Sequence, residues 1–545
     1  MKTKADNPYL NKEGDDLVIT EAGYQKLSEF LTDPKGQVYA FNNKLSPVII
    51  AAAMARLSRR MGDMRETILD EFILNEKDDA NILIRRVVSE FGDDSVQQLI
   101  GVHVVVEDAS NLLTKKLEWG RLAAYLEQST RYIYYDKKDK RGRYRYYIPI
   151  LEPSVEKDYC QDMDRVFDLY SFMVRGVTEY LRKKNPAPVN PQERAAWIQA
   201  TRAAACDAVR LVLPVAAKST VGIFASAQAI SNMIMNLLGD TLPEARKAGE
   251  DILRETRKVI PAFLERIDEP SRGGMIMAYR ATTKSAMRAL VQRNFAEFLK
   301  QDIIQDDVVS GEVRLLDFWP RDEMDLIPEM LFEYGNLSMN DIKKEVSAWT
   351  EGKKLEVLRT YIGERLNRCH RPGRALEKAH FEFEIDGRDY GTFRDLQRHR
   401  IVDAWEWQEL TPTYGYDVPE LVIEAGFKEQ FDECFRLSFK IYSILLNGSD
   451  GEYQYGTLLG HEMRYRFIMN LRQLFHFFEL RTGPSGHPGY RRICNEAFNL
   501  LKQVYPNFSS AMKFVNEGED PELGRLAAER ATQFKLAQLD KNTKP

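Results

Sequence analysis

Apolar side chains recur with two different spacings along the chain, and each spacing predicts a type of element. Continuous or alternating β-branched and aromatic residues predict strands at Val102–Glu107 and Ala379–Gly387. Short strands are also predicted at Gln37–Phe41 and Glu312–Phe318. Apolar residues at three-four spacing predict helices, which we assign to Pro47–Met61, Asp63–Phe91, Lys353–Asn367 and His461–Arg481, with a helix or helix pair at Ala208–Leu238. Strand and helix patterns therefore occur in both halves of the chain.

The two halves are related by a shift of the sequence against itself. A shift of 279 residues superposes Phe91–Tyr132 on a block that ends near Thr411. The aligned pairs are Gln98 with Glu377, Leu117 with Leu396, Arg121 with Arg400 and Glu127 with Glu406. A shared series of this kind indicates a tandem duplication.

The duplication sets the expected domain boundaries. We expect an N-terminal extension over residues 1–36, a first copy over 37–268, a helical connector over 269–310 and a second copy over 311–545. Arg121 to Arg210 spans 89 positions, whereas Arg400 to the aligned Gln454 spans 54. The first copy is therefore longer by 35 positions, and we place its insertion at about 137–205.

Composition narrows the class of protein. The 545 residues include 77 basic and 82 acidic side chains, so the net charge is −5, which argues against a dedicated nucleic-acid binder. The five cysteines are scattered without metal-ligand spacing, which favours reduced thiols and predicts no metal site. The absence of an apolar run of 18 residues favours a cytoplasmic protein without a membrane segment.

One basic and aromatic run leaves two interpretations. Lys137–Pro149 reads KKDKRGRYRYYIP, a composition that can bind nucleic acid through phosphate contacts and base stacking. A solvated hairpin between strands explains the run equally simply, and we favour it because nothing else in the chain indicates nucleic acid.

Two clusters carry candidate chemistry. Arg398, His399 and Arg400 stand together, and the planar guanidinium of arginine suits phosphate or carboxylate groups. In the predicted helix His461–Arg481, helical spacing places Asn470 and Arg481 along one edge with Leu474 and Phe477, and Arg472 and His476 along another. Buried arginine and histidine need partners. Acids of a neighbouring helix or a bound anion or cofactor could supply them.

These motifs resemble the signature of the flavin-dependent thymidylate synthases. In that family RHR and a segment ending EQSTRY occur in one run. Here the second copy has Arg398-His399-Arg400 but continues to Gln408-Glu409-Leu410. The first copy has EQSTRY at Glu127–Tyr132 but reads Trp119-Gly120-Arg121 in place of RHR. Each copy keeps what the other lacks.

The resemblance implies the fold and the assembly. The expected fold is α+β, with two tandem copies of a small, mostly antiparallel sheet packed with long helices, forming a pseudo-dimer. Family members place the active site between subunits of a homotetramer. The two surviving half-sites would then face one another as one composite site with an inactive symmetry mate, and the chain would form a homodimer of pseudo-dimers.

The resemblance also implies the reaction and its residues. The expected activity is conversion of dUMP to dTMP, with FAD as cofactor and NADPH and methylenetetrahydrofolate as co-substrates. The implied catalytic residues are Arg481, which would hold the uracil carbonyl, and Arg398 and His399. The implied cofactor-binding residues are Arg398, His399, Arg400, Glu377, Asn470, Arg472, His476 and Arg374. The implied substrate-binding residues are Glu127, Gln128, Ser129, Thr130, Arg131, Arg210 and Arg481.

Departures from the family pattern leave other functions open. Asp395 stands where the family often has glutamine, close to an expected anionic substrate. His476 takes a position that is usually an amide, and Arg374 stands where a small hydroxyl residue normally approaches the flavin. The alternatives are a catalytically inactive homologue that binds nucleotide or flavin as a sensor or scaffold, and a different flavin-dependent pyrimidine methylation.

Overall fold

The computed structural model describes most of the chain. The described residues are 7–14, 16–42, 44–56, 63–73, 84, 94–120, 122–295, 311–446, 451–520 and 523–542. The strands are β1 Leu10–Glu13, β2 Asp16–Ile19, β3 Gly101–Ser110, β4 Ala123–Glu127, β5 Lys218–Ser226, β6 Glu312–Trp319, β7 His380–Asp389, β8 Ala404–Trp407 and β9 Glu462–Asn470.

Helices make up most of the remaining regular structure. In chain order they are α1 Glu21–Ser28, α2 Pro47–Arg56, α3 Met64–Thr67, α4 Asn111–Leu117, α5 Pro153–Lys184, α6 Pro191–Val209, α7 Ala227–Leu238, α8 Pro243–Arg257, α9 Pro261–Leu264, α10 Met275–Asn294, α11 Ile327–Phe332, α12 Met339–Ser347, α13 Glu351–Ile362, α14 Tyr390–Leu396, α15 Glu420–Glu424, α16 Lys428–Leu445, α17 Leu471–Arg481, α18 Pro488–Val504, α19 Pro506–Ser510 and α20 Leu526–Asn542. Among the described residues no helix is long and apolar enough to cross a membrane.

The chain forms two compact units, and the first contains a three-stranded sheet. This unit comprises Met1–Ala109, Lys116–Glu127 and Ser219–Ala296. Its sheet has the strand order β3-β5-β4, and β4 runs antiparallel to β5 with Ala123 opposite Ala225. Helices α7 and α8 pack together beside it, and β1 and β2 form a separate antiparallel pair.

The second unit is built around a four-stranded antiparallel sheet. It comprises Ser110–Lys115, Gln128–Lys218 and Glu297–Pro545, and its strand order is β6-β7-β9-β8. Alternate residues of the central strand β7, namely Phe381, Phe383 and Ile385, are fully buried. This alternation is what a sheet with one covered face requires. Helices α5, α6 and α16 pack together in the same unit.

The two copies use the same elements in the same order. The segment β3-α4-β4 corresponds to β7-α14-β8 at the offset of 279 residues seen in the sequence. The segment β5-α7 corresponds to β9-α17 at an offset of 244, because β5 begins at Lys218 and β9 at Glu462. The strand order β3-β5-β4 repeats as β7-β9-β8. The predicted α+β fold with a tandem duplication is confirmed.

Equivalent positions of the two copies meet at two places inside the second unit. The Tyr390 hydroxyl donates to the carbonyl of Asn111, 279 residues earlier, at 3.0 Å. Pro214 forms an isolated antiparallel bridge with Leu458, its equivalent at the offset of 244. The second unit therefore contains two contacts between residues that the duplication relates to one another.

The prediction of a single helix over His461–Arg481 is wrong in its first half. Glu462–Asn470 is strand β9, which pairs with β7 on one side and β8 on the other. Its residues alternate between buried and less buried, as a strand requires. The helix begins only at Leu471, where the Asn470 side chain accepts from the backbone N–H of Gln473.

The prediction over Ala208–Leu238 fails for the same reason. Helix α6 ends at Val209, β5 occupies Lys218–Ser226, and α7 begins at Ala227. The KSTVGIFAS sequence of β5 is rich in β-branched residues, so tertiary pairing and local preference both favour a strand there.

The basic and aromatic run is not a hairpin between strands. Asp139 closes a turn by accepting from the backbone of Arg143 at 3.0 Å, and Tyr144 and Tyr146 are buried. Their rings stack on Phe167 of α5 with centroids 5.0 and 5.7 Å apart. The aromatic residues of this run therefore belong to the core of the second unit.

Two other predictions concern the first copy. Gln37–Phe41 is not a strand, because only Phe41 forms an isolated bridge, with Leu31. The predicted helix Asp63–Phe91 is helical over the described residues 64–72. Most of its remainder lies outside the residues that the structure describes.

Candidate active site

The RHR segment lies where helix α14 ends. Asp389 begins this helix by accepting from the backbone N–H of Thr392 at 2.7 Å, and Gln397 closes it. The chain then leaves Arg398 and Arg400 exposed while His399 is buried. The arginines on either side of a buried imidazole can therefore reach an external ligand.

The imidazole of His399 accepts a hydrogen bond from Arg481. The Arg481 Nε–H donates to His399 Nε2 at 2.8 Å. Burial and the charge of Arg481 lower the pKa of His399 well below its ordinary value, so the ring is neutral. Since Nε2 accepts, the ring proton is on Nδ1, which lies 3.3 Å from the side-chain amide of Gln473.

Two guanidinium groups from distant parts of the chain lie against one ring. Arg481 is 5.3 Å and Arg131 is 5.8 Å from the ring centroid of Tyr490. Cations at this distance interact favourably with an aromatic face. The structure therefore brings one arginine of each copy to the same aromatic ring.

Arg131 is held by a carboxylate. Its Nε and Nη2 atoms donate to the two oxygens of Asp207, both at 2.6 Å. Burial would lower the pKa of Arg131, but the Asp207 carboxylate raises it overall, so the pair is fully charged. The Ser129 hydroxyl accepts from the backbone N–H of Arg131 at 3.2 Å and shapes the loop.

Arg210 is paired with the acid that departs from the family pattern. The Arg210 Nη2 atom donates to Asp395 Oδ2 at 2.9 Å, and both side chains are buried. Arg398 lies 3.8 Å from the other oxygen of Asp395. Burial alone would raise the pKa of Asp395, but Arg210, Arg131 and Arg398 hold it well below its ordinary value.

Three of the residues predicted to bind flavin are joined to one another by polar contacts. Arg472 donates to the carbonyl of Pro372 at 2.8 Å and to Glu377 at 3.2 Å, and Glu377 also pairs with the exposed Arg374. Asn470 caps helix α17 with its side-chain oxygen, and this role accounts for the asparagine without a bound ligand. His476 is half-buried, with its ring 5.7 Å from that of His399.

The remaining predicted residues lie at the end of β4 and in the loop that follows it. Glu127 is the last residue of β4 and belongs to the first unit. Gln128 and Thr130 follow in the second unit, where Thr130 is buried. Arg121, the counterpart of Arg400, lies outside the described residues.

Four residues of the site were not recognised from the sequence, namely Asp207, Gln473, His487 and Tyr490. His487 begins helix α18, where its Nδ1 accepts from Gly489 and its Nε2–H donates to the Asp207 carbonyl. Burial lowers the pKa of His487 to about 4, so it is neutral. A signal existed for Asp207, which precedes Arg210 by one helical turn, but nothing local distinguishes Tyr490.

A cavity of about 820 Å³ adjoins the site, and Asp207 and His487 line part of it. Arg388, Asp417 and Glu462 line another part. Glu462 is 2% exposed, and its Oε2 atom makes no hydrogen bond among the described residues. Burial and the carboxylate of Asp417 raise the pKa of Glu462 to about 8. No group of three His, Cys, Asp or Glu in the described chain could hold a metal ion.

Comparison with known proteins identifies the family. The family described as "Thymidylate synthase complementing protein" matches residues 43–262 and again residues 314–507. The chain belongs to this family. The two matched segments account for most of the chain, and they are the two copies seen in the sequence and the fold.

Relatives of this family member divide into full-length and single-copy proteins. A UPF0159 protein of Chlamydia pneumoniae is 32% identical over 525 residues, which cover 93% of this chain and 96% of that protein. A UPF0159 protein of Thermoplasma acidophilum is 27% identical over 505 residues, covering 88% and 97%. The flavin-dependent thymidylate synthase of Clostridium tetani is 23% identical over 252 residues, covering 42% of this chain and 97% of that enzyme.

Among solved structures, the chain is similar to a UMP/dUMP methylase, PolB from Streptomyces cacaoi, bound with 5-Br dUMP. The identity is 15%, the TM-score is 0.31, and the match covers 39% of this chain and 98% of that one.

Proposed function

We propose that the chain is a flavin-dependent thymidylate synthase that methylates the uracil base of dUMP. The one-carbon donor is methylenetetrahydrofolate and the reductant is NADPH. The family match over both copies supports a thymidylate-synthase-like enzyme. The observation that carries the proposal is the approach of Arg131 and Arg481 to the Tyr490 ring, because it brings the two half-motifs of the family together.

Arg481 is suited to the base end of the substrate. Its Nε is used by His399, and among the described residues its two terminal nitrogens make no hydrogen bond. These N–H groups would donate to a uracil carbonyl and would stabilise negative charge that develops on the ring. Because His399 is neutral, it orients the Arg481 guanidinium and does not itself attract the negative charge that develops on the uracil ring.

The opposite end of the substrate would meet Ser129, Arg131 and Arg210. Guanidinium groups and a hydroxyl are typical phosphate donors. These residues come from the first copy, whereas Arg481 and His399 come from the second. The proposed site is therefore composite within one chain.

The residues present also fit a flavin. FAD carries a diphosphate, and Arg398 and Arg400 are exposed beside His399, with Arg374 and Arg472 joined through Glu377. A bound flavin supplies the hydride chemistry that amino-acid side chains lack. Arg398, Arg400, Arg374 and Arg472 would hold it, with His399 and Asn470 at its edge.

Methylation of a different pyrimidine substrate is the second candidate. It is favoured by the Arg210–Asp395 pair, which occupies a guanidinium that a nucleotide phosphate would otherwise use. An inactive sensor or scaffold is the third interpretation, and no contact in the described residues favours it over the enzymes.

A direct test uses the purified full chain. We expect a yellow protein with a flavin absorbance spectrum, NADPH oxidation that depends on dUMP, and release of tritium from dUMP labelled at C5. Flavin binding without pyrimidine-dependent turnover would support the sensor. Absence of both flavin and turnover after reconstitution with FAD would contradict the proposal.

A second test uses the variant Arg481→Ala, with Arg491→Lys as its control. Arg491 lies on the same helix as Tyr490, and its buried side chain donates to the carbonyls of Thr482 and Gly518. We expect Arg481→Ala to remove turnover while flavin stays bound. Retained turnover in this variant would argue against a uracil-binding role.

A further inference from the structure

We propose that Asp395 makes the 5′ end of the substrate pocket select a group with at most one negative charge. This inference rests on the second candidate given under the proposed function, methylation of a pyrimidine substrate other than dUMP, since it concerns the same pocket. It names the substrate class more narrowly: a uracil nucleoside, or a nucleotide whose phosphate is singly charged, as in a phosphodiester.

The geometry places Asp395 among the cations that a phosphate would need. Arg210 donates to it at 2.9 Å, and Arg398 lies 3.8 Å away. Asp395 is only 4% exposed, so water screens these interactions little. Its carboxylate therefore competes directly with any ligand anion for the same guanidinium groups.

The charges of this cluster nearly cancel. Its three guanidinium groups are those of Arg131, Arg210 and Arg398, and its two carboxylates are those of Asp207 and Asp395. His487, which contacts the Asp207 backbone, is neutral and adds no charge. Among these five groups the carboxylates offset two of the three positive charges, which leaves less positive charge for a doubly charged ligand than the guanidinium groups alone would supply.

The donors left over also match a small anion. Arg210 Nε is buried and finds no hydrogen-bond partner in the part of the chain that the structure describes. Arg131 uses Nε and Nη2 for Asp207, and its Nη1 atom makes no hydrogen bond among the described residues. These N–H groups suit one or two ligand oxygens. The glutamine that the family often has at position 395 would leave one more positive charge uncompensated.

The test is a binding comparison at pH 8, where a phosphate monoester is a dianion because its second pKa is about 6. Three ligands are titrated into the flavin-loaded full chain: dUMP, its 5′-methyl phosphodiester and deoxyuridine. They carry two, one and no negative charges on the same base and sugar. We expect the methyl ester to bind at least as tightly as dUMP.

The decisive measurement is the same titration of the three ligands into the Asp395→Gln variant. We expect the ratio of dUMP to methyl-ester affinity to rise by about tenfold or more, because a buried negative charge close to the second phosphate charge is removed. A ratio of two ligands on one protein cancels any general loss of stability. Asp395→Glu should keep the preference of the native chain.

A control variant, Asp403→Asn, removes an acid of the same segment that is paired with His380. It should leave the ratio unchanged. Native protein that binds dUMP more than tenfold tighter than the methyl ester, with no rise in Asp395→Gln, would overturn the inference alone. If none of the three ligands binds, the proposed function fails as well, and the inference is overturned with it.

Discussion

The arrangement of His399 and Arg481 shows how burial assigns a role to a single side chain. A protonated imidazole could not accept the Arg481 Nε–H, and burial together with the Arg481 charge keeps the ring neutral. The side-chain amide of Gln473 lies 3.3 Å from the other ring nitrogen. The result is a guanidinium whose direction is set before any ligand arrives.

Arg398 and Arg121 provide a prediction at the residue scale. Arg398 lies beside Asp395 in the complete RHR segment, whereas Arg121 belongs to the incomplete counterpart. We expect Arg398→Ala to reduce flavin-dependent turnover by about a hundredfold, the usual loss when one stabilising donor is removed. Arg121→Ala should change it little. Steady-state turnover of both variants checks this, and an equal loss from both would contradict an asymmetric site.

Glu462 provides a prediction about pH and stability. Its pKa is raised to about 8 in the folded protein, whereas an unfolded glutamate has a pKa of about 4.3. Between these values the unfolded chain loses a proton that the folded chain keeps, so the native protein loses stability as pH rises from about 4.3 to 8. Glu462→Gln removes this loss.

The measurement is the Tm of both proteins at several pH values. We expect the Tm of Glu462→Gln, relative to the native chain, to increase by a few degrees between pH 5 and pH 8. The control variant is Glu496→Gln, which replaces the acid that pairs with Arg388 near the same cavity. A constant difference for Glu462→Gln across this range would show that the carboxyl is ionised throughout.

Sequence reasoning proposed site residues only where a short motif carried them. Arg131, Arg210 and Arg481 stand in such motifs; the structure places Arg131 and Arg210 near Asp395, and Arg131 and Arg481 against the Tyr490 ring. Asp207 and Tyr490 were missed, because their importance comes from neighbours that only the folded chain provides. Periodicity can place a residue on a face, but it does not reveal which distant side chain it meets.

At the scale of elements, the junction between β9 and α17 organises one side of the site. The strand brings Arg464 and Arg466 to the sheet surface, and the helix presents Arg472, Gln473 and Arg481. The apolar content of both parts is similar, so a helical pattern could be drawn through them. Pairing of β9 between two strands decided the conformation, and sequence alone could not show that pairing.

Asn470 at this junction yields the third prediction. Its side chain caps α17, and a serine can replace an asparagine cap whereas alanine cannot. We expect Asn470→Ala to lower the free energy of unfolding by about 1 kcal/mol and Asn470→Ser to leave it nearly unchanged. If the amide also contacts flavin, as proposed, both variants should bind FAD more weakly.

Denaturant unfolding and FAD titration separate the two roles of Asn470. Weaker flavin binding in Asn470→Ala alone would mean that the residue acts only through the helix. Ser226, the counterpart in the first copy, caps α7 in the same way and is the matched control. Ser226→Ala should lose similar stability without a change in flavin affinity.

At the scale of the whole molecule, the fold is repeated but the chemistry is not. Arg210 is equivalent to Gln454 at the offset of 244, and Arg131 to Leu410 at the offset of 279. Gln454 accepts from the backbone N–H of Leu410 at 3.1 Å, so neutral groups meet where the other copy has two guanidiniums. The two copies thus share their strand pairing, whereas the two guanidinium groups of one copy have neutral counterparts in the other.

This asymmetry predicts one ligand site per chain. Asp207 is equivalent to Gly451, so the second location also lacks the carboxylate that holds Arg131. A pocket without guanidiniums or their partners offers a phosphate or a charged cofactor little binding energy.

We expect titration of the full chain to saturate at one FAD and one pyrimidine ligand, measured by flavin absorbance and isothermal calorimetry against chain concentration. Restoring charge with the double substitution Gln454→Arg and Leu410→Arg should not create a second flavin site, because Ser226 and Gln228 stand at the positions of Asn470 and Arg472, which we propose to bind flavin in the other copy. Two equivalents of ligand bound per native chain would mean that the location around Gln454 and Leu410 still binds. The differences between the two copies would then not be complementary.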